Sequence, residues 1–152
     1  MLKFSFLLVS FLLLTACFNT EQASSQADVV AHKPTIERWY SQTDINVGQQ
    51  VFTQNCTVCH GQQAEGLVHP WNKTLSDGLY PPPPLNGTAH AWHHPLRGLL
   101  TTIQHGGQPI GGKMPGFKDK LNQQQQLAAI AYFQSLWSDE IYQAWLDRGG
   151  LS

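Results

Sequence analysis

The stretch QNCTVCHG, residues 54–61, constrains this chain more than any other part of it. It holds two of the three cysteines, Cys56 and Cys59, with His60 directly after the second. Such a pair serves a dithiol switch, half of a zinc site, or the attachment of a prosthetic group. A thioredoxin-type switch wants alternating strands and helices around its Cys-x-x-Cys, and no such pattern flanks this one. A structural zinc site wants a second pair of ligands at finger-like spacing. Besides histidines, the chain offers only the distant Cys17, at the end of an apolar run.

Cys-x-x-Cys-His is the signature of covalent c-type haem attachment, and the spacing has a chemical reason. On a helix Cys56 and Cys59 stand one turn apart, so both thiols can add to the two vinyl groups along one porphyrin edge. His60 then projects its imidazole under the iron. Composition fits a chain wrapped around something apolar. Charged residues make up 12%, roughly half of the usual ~25%. The 13 glycines and nine prolines point to long loops. Nine basic and ten acidic residues leave no basic stripe for nucleic acid.

The chain opens MLKFSFLLVSFLLLTAC. Lys3 precedes an apolar run of 11 residues, Phe4 to Leu14, too short for the roughly 20 that span a bilayer. Residues 1–16 are therefore expected to be a signal peptide. The ending LLTAC resembles the bacterial lipoprotein signal, which implies that Cys17 becomes the acylated N-terminus. More than one acyl chain holds a protein firmly on a membrane. Phe18, where enterobacterial inner-membrane lipoproteins carry Asp, points to the outer membrane. Residues 17–35 after this cut are small and polar, and read as a flexible tether; the 18 from Phe18 onward reach roughly 23 Å. Loss of Lys3 leaves a formal charge of −2. Residues 36–152 form the expected domain.

Within it, INVGQQVFTQNC places Gly48, Phe52 and Cys56 at i, i+4 and i+8 along one helix side. Residues 122–137 begin with an Asn122-x-x-Gln125 capping-box pattern and continue at helical spacing. The run Gln123–Gln126 reads as a solvated face of that helix. Pro95 suits a helix start and Gly106 a stop, with Leu96, Leu99, Leu100 and Ile103 facing inward. From about residue 44 to 137 the chain resembles the class I c-type cytochromes, small monohaem electron carriers. The resemblance implies an all-α, cytochrome c-like fold of a few helices and long loops around one covalently bound haem c. It implies that Gly48 and Phe52 pack against Tyr132 of the later helix. It implies thioether bonds from Cys56 and Cys59, and axial iron ligation by His60 and Met114. Met114 is the only methionine left after the leader, in GGKMPGF. In YPPPPLNG the family pattern falls on Pro83, Leu85 and Gly87. Pro83 is then expected to accept a hydrogen bond from the proximal histidine, and Leu85 to pack on the ring.

Two regions depart from the small family core: the insert LVHPWNKTLSDGLYPPPPLNG, and the tail SDEIYQAWLDRGGLS, where Ile141 and Trp145 are spaced as if a helix docks back. The cluster AHAWHHP is open to several uses: exposed imidazoles at a helix start, a secondary copper or zinc site at His90, His93 and His94, or a competing haem ligand. Lys113, Lys118 and Lys120 surround the methionine loop and could bias docking towards an acidic partner. The expected function is single-electron transfer between a donor and an acceptor redox protein, on the periplasmic side of a bacterial membrane, rather than enzymatic turnover. Two other functions stay open. Haem-based sensing or peroxide chemistry requires Met114 to leave the iron. A copper-binding accessory role requires the histidine cluster.

Overall fold

The computed structural model describes residues 36–152. The expected leader and tether, with Cys17, lie outside the described residues. The described chain is all-α: α1 (Gln42–Asn55), α2 (Thr57–His60), α3 (Leu96–His105), α4 (Gln123–Ser135) and α5 (Asp139–Asp147). Short 3₁₀ turns occupy His90–His93 and Gln108–Ile110. No strand forms among the described residues; an isolated bridge pairs Tyr80 with Gly112. No helix among them is long and apolar enough to cross a membrane.

The helix ends follow local chemistry. Ser41 caps α1: its Oγ accepts from the Asp44 amide (3.2 Å), and the Asp44 carboxylate accepts from the Ser41 amide (2.8 Å). This reciprocal box satisfies two amides the helix leaves unpaired. Asn122 and Gln125 build the same box on α4, as their spacing predicts. Pro95 precedes α3, and Gly106 ends it at φ +86°, a conformation that only glycine adopts freely.

The core is organised by α1 crossing α4. A Cβ on Gly48 would lie 1.9 Å from the Ala128 carbonyl oxygen and 2.9 Å from Tyr132 Cβ, so the missing side chain is what lets the two backbones touch. One turn on, Phe52 is 1% exposed, its ring 5.1 Å from that of Tyr132. The expected trio of Gly48, Phe52 and Tyr132 does meet. The Tyr132 hydroxyl also donates to the Gln62 carbonyl (3.4 Å), tying α4 to the loop behind His60.

The solvated-face expectation for the glutamine run fails at Gln126. Gln123 and Gln124 are exposed, but Gln126 is 2% exposed. Its Nε2 donates to the Leu121 carbonyl (2.6 Å), and its Oε1 accepts from Gln104 Nε2 (3.1 Å). Helix α4 is covered on nearly every side, so even a polar position is buried, and burial is tolerated because both ends of the amide are bonded.

The tail does dock as a helix. Tyr142 and Trp145 of α5 are fully buried, and Trp145 Nε1 donates to the His94 carbonyl (2.8 Å). The Gly150 carbonyl accepts from the Leu96 amide (2.7 Å), satisfying a first-turn donor of α3. The segment at residues 36–40 closes over α4 and α5: Arg38 pairs with Asp139 (2.7 Å), and Trp39 Nε1 donates to Gln134 Oε1 (2.6 Å).

Gly48→Ala is expected to destabilise the haem-loaded protein by about 3 kcal/mol, the upper end of overpacking costs, measured by chemical denaturation. Burial pushes the Tyr40 phenol up to about 12, and the Arg38 guanidinium offsets this only in part. The folded value exceeds the unfolded value near 10, so stability is present below about pH 10 and lost as pH rises towards about 12. Tyr40→Phe is expected to remove that share of the alkaline loss, seen as a flatter denaturation midpoint across this range.

Candidate haem site

The cysteine pair lies on one helical turn, as its spacing predicts. The amides of Cys59 and His60 donate to the Cys56 carbonyl at 3.0 and 2.9 Å. Both thiols are free; Cys59 is exposed and Cys56 half-buried. Burial, with a smaller push from Cys59, raises the Cys56 thiol to about 11, and Lys120 offsets little of it. A reactive dithiol needs a lowered value, so Cys56 is not the acidic thiol of a redox switch.

His60 is buried, and its Nδ1 lies 2.9 Å from the Pro83 carbonyl oxygen. A carbonyl can only accept, so the proton sits on Nδ1 and the lone pair on Nε2. Burial holds the imidazole below its ordinary value, and the Pro83 bond opposes this without reversing it. The side chain is therefore a neutral imidazole of fixed tautomer with one nitrogen free to donate electrons, the state of a metal-ligating histidine.

The loop after His60 is bonded to the proline-rich segment. Ala64, fully buried at φ +55°, accepts from the Leu85 (2.7 Å) and Asn86 (3.2 Å) amides. Trp137 Nε1 donates to the Leu85 carbonyl (2.7 Å). At Gly61 (φ +83°) a Cβ would strike the Glu65 carboxylate, which accepts from the Gln63 amide. Sequence reasoning passed over Gly61 and Ala64 and placed Trp137 only within the helical spacing of residues 122–137. Gly61, directly after the motif, was a usable signal, whereas nothing marks Ala64.

Met114 is half-buried on a loop hung from the end of α3. Its carbonyl accepts from Gly107 (2.9 Å), while the Phe117 and Lys118 amides donate to Ile103 (2.8 Å) and Gln104 (3.2 Å). Those are carbonyls of the last helical turn, which need partners from outside the helix. The structure thus joins Cys56, His60 and Pro83 directly, and holds Leu85 beside them through Ala64 and Trp137. Met114 packs in the neighbouring cluster of Val51, Phe117, Leu121 and Ala129, and Ile103 belongs to both. Helix α3 buries none of its residues; Leu96, Leu99, Leu100 and Ile103 are only half covered, an apolar face that calls for an apolar cover.

The histidine trio does not assemble. His90 to His93 form a 3₁₀ turn rather than an α-turn, and of the three imidazoles only His90 and His94 meet. His90 stacks on Trp71 at 4.7 Å with its edge contact to His94, while His93 meets Trp92 at 4.0 Å. Among the described residues no three His, Cys, Asp or Glu side chains converge on a metal position. Nor are the three lysines equivalent: Lys113 is paired with Asp77, and Lys120 lies over the Phe117 ring.

Residues 43–133 match the family described as cytochrome c oxidase, cbb3-type, subunit III. The chain belongs to that family. It is a c-type cytochrome, with an all-α, cytochrome c-like domain. It is 34% identical over 96 residues to the cbb3-type cytochrome c oxidase subunit CcoP of Rhodobacter capsulatus, covering 59% of this chain and 28% of that one. To subunit FixP of Sinorhizobium medicae it is 30% identical over 125 residues, covering 78% and 38%. The chain therefore spans about a third of the length of these curated relatives. No solved structure matches it.

A c-type cytochrome carries covalently bound haem c and works in electron transfer. The residues here fit that group: two thiols on one turn, a neutral buried imidazole with a free Nε2, and a half-bare apolar helix face. Trp137→Phe removes the donor to the Leu85 carbonyl and is expected to cost about 1 kcal/mol in urea denaturation of the haem-loaded protein, with covalent attachment retained.

Proposed function

We propose that this protein is a monohaem electron carrier of class I type, tethered by an acylated Cys17 to the periplasmic side of a bacterial membrane, outer rather than inner. In this reading 1–16 is a removed leader, 17–35 a tether and 36–152 the cytochrome domain. The observation that carries it is the His60–Pro83 hydrogen bond beside the Cys56–Cys59 turn. A single Cys-x-x-Cys-His in these 152 residues supports one haem.

Cys56 and Cys59 would hold the haem through thioethers, and His60 Nε2 and the Met114 thioether would ligate its iron. The haem supplies an iron that takes up and gives back one electron at a time. Pro83 keeps the His60 proton on Nδ1 and so raises the basicity of the ligating nitrogen. Leu85 and the α3 leucines line the ring and keep the pocket dry, which limits reorganisation when the charge changes. Donor and acceptor are redox proteins, and the family match supports a terminal oxidase of cbb3 type as the acceptor.

Absorption spectroscopy of the haem-loaded protein tests the ligand set. A weak far-red sulfur-to-iron band in the oxidised form, absent in Met114→Ala, is the expected result; a high-spin oxidised spectrum in the parent would sink it and favour sensing or peroxide chemistry. Met114→His is expected to lower the reduction potential by a few tenths of a volt, within the roughly 0.8 V that axial ligands span, measured by potentiometric titration. Cys17→Ser is expected to move the protein from the membrane fraction to the soluble one.

A further inference from the structure

The central insert touches both halves of the candidate site. At one end, Asp77 sits in a tight turn closed by Leu75 and Leu79. One carboxylate oxygen accepts from the Leu79 amide (3.1 Å) and the other pairs with Lys113, the residue before Met114. Three residues on, the Tyr80 amide donates to the Gly111 carbonyl (2.8 Å), forming the bridge to Gly112. The Tyr80 ring covers Gly111, 3.4 Å from where a Cβ would stand. After only two more residues, Pro83 accepts from His60, and Leu85 and Asn86 bond to Ala64. What lies between the two attachments is proline, and four in a row at positions 81–84 favour a stiff extended rod with fixed φ.

We propose that residues 77–85 form a strap that holds the methionine-bearing loop at a set distance from the histidine-bearing loop, with the Asp77–Lys113 ion pair and the Tyr80–Gly111 hydrogen bond as its latch. Asp77 is a positioning residue: it acts on the iron only through the loop that carries Met114. The strap decides how readily that loop swings away and the methionine leaves. It rests on the reading of Met114 as an axial ligand. It also gives the insert, which the small class I core lacks, a task within the same site.

The test is the rate at which added imidazole displaces Met114 in the oxidised, haem-loaded full chain, followed by loss of the far-red band. Asp77→Asn keeps an acceptor for the Leu79 amide and removes only the charge. An exposed ion pair of this kind predicts a rate about two- to five-fold above the parent. Lys113→Gln should give the same increase, and the double variant no more than either alone. Pro82→Gly softens the rod without touching the latch and should also speed displacement. Molar salt should bring the parent up to the Asp77→Asn rate and leave that variant unmoved, because screening removes what the substitution removes. Protection of the Tyr80 amide from hydrogen exchange should fall in Asp77→Asn, a readout independent of the haem spectrum. Parent-like displacement rates in all three single variants, with the parent band intact, overturn the strap while sparing Met114 as ligand. Absence of the band in the parent overturns the ligand reading and the strap with it.

Discussion

The approach of two helix backbones at Gly48 is the constraint on which the rest of this structure depends. With no side chain between them, α1 and α4 touch at the Ala128 carbonyl, and that contact fixes where the end of α1 delivers the cysteine turn. Phe52 and Tyr132 then fill the next layer, and the Tyr132 hydroxyl reaches the loop that follows His60. Position and chemistry are coupled here. A bulkier residue at the crossing would move the helix end that carries Cys56, not merely loosen a core.

A second layer of order comes from indole N–H groups. The half-buried Trp39, the buried Trp137 just past α4 and the buried Trp145 of α5 each donate to one oxygen, on Gln134, Leu85 and His94 respectively. A tryptophan buried with its N–H bonded contributes area and direction together. In a chain with so much loop, such bonds give irregular segments fixed addresses on the helices. The Leu85 carbonyl is the most consequential of these, since it lies two residues from the proline that accepts from His60.

What could be read from the sequence was whatever is decided locally. The Cys56–Cys59–His60 spacing is itself the signature of covalent haem attachment. The capping box at Asn122, the stop at Gly106 and the close approach at Gly48 are each written in a few neighbouring residues. Pro83 was found through a family pattern, despite four prolines that blur its alignment. What stayed hidden is set by tertiary surroundings. Gln126 looks like its solvated neighbours, and only the central place of α4 buries it. The histidine cluster left a metal trio open as one of several uses, but a 3₁₀ turn and the nearby Trp71 and Trp92 leave only His90 and His94 in contact and turn His93 towards Trp92. The link from the insert to the methionine loop joins residues more than 30 positions apart in sequence, and no short-range pattern announces it.

The run Pro81–Pro84 has a consequence beyond stiffness. Its four residues offer carbonyl oxygens and no amide protons, so this length of chain is a one-way ribbon that can receive hydrogen bonds and never return them. It cannot be zipped into a sheet, within this molecule or by the edge of another, because every ladder needs donors from both sides. The segment alongside His60 is thereby kept from pairing with other extended chains while its oxygens stay available. One of them has found the imidazole.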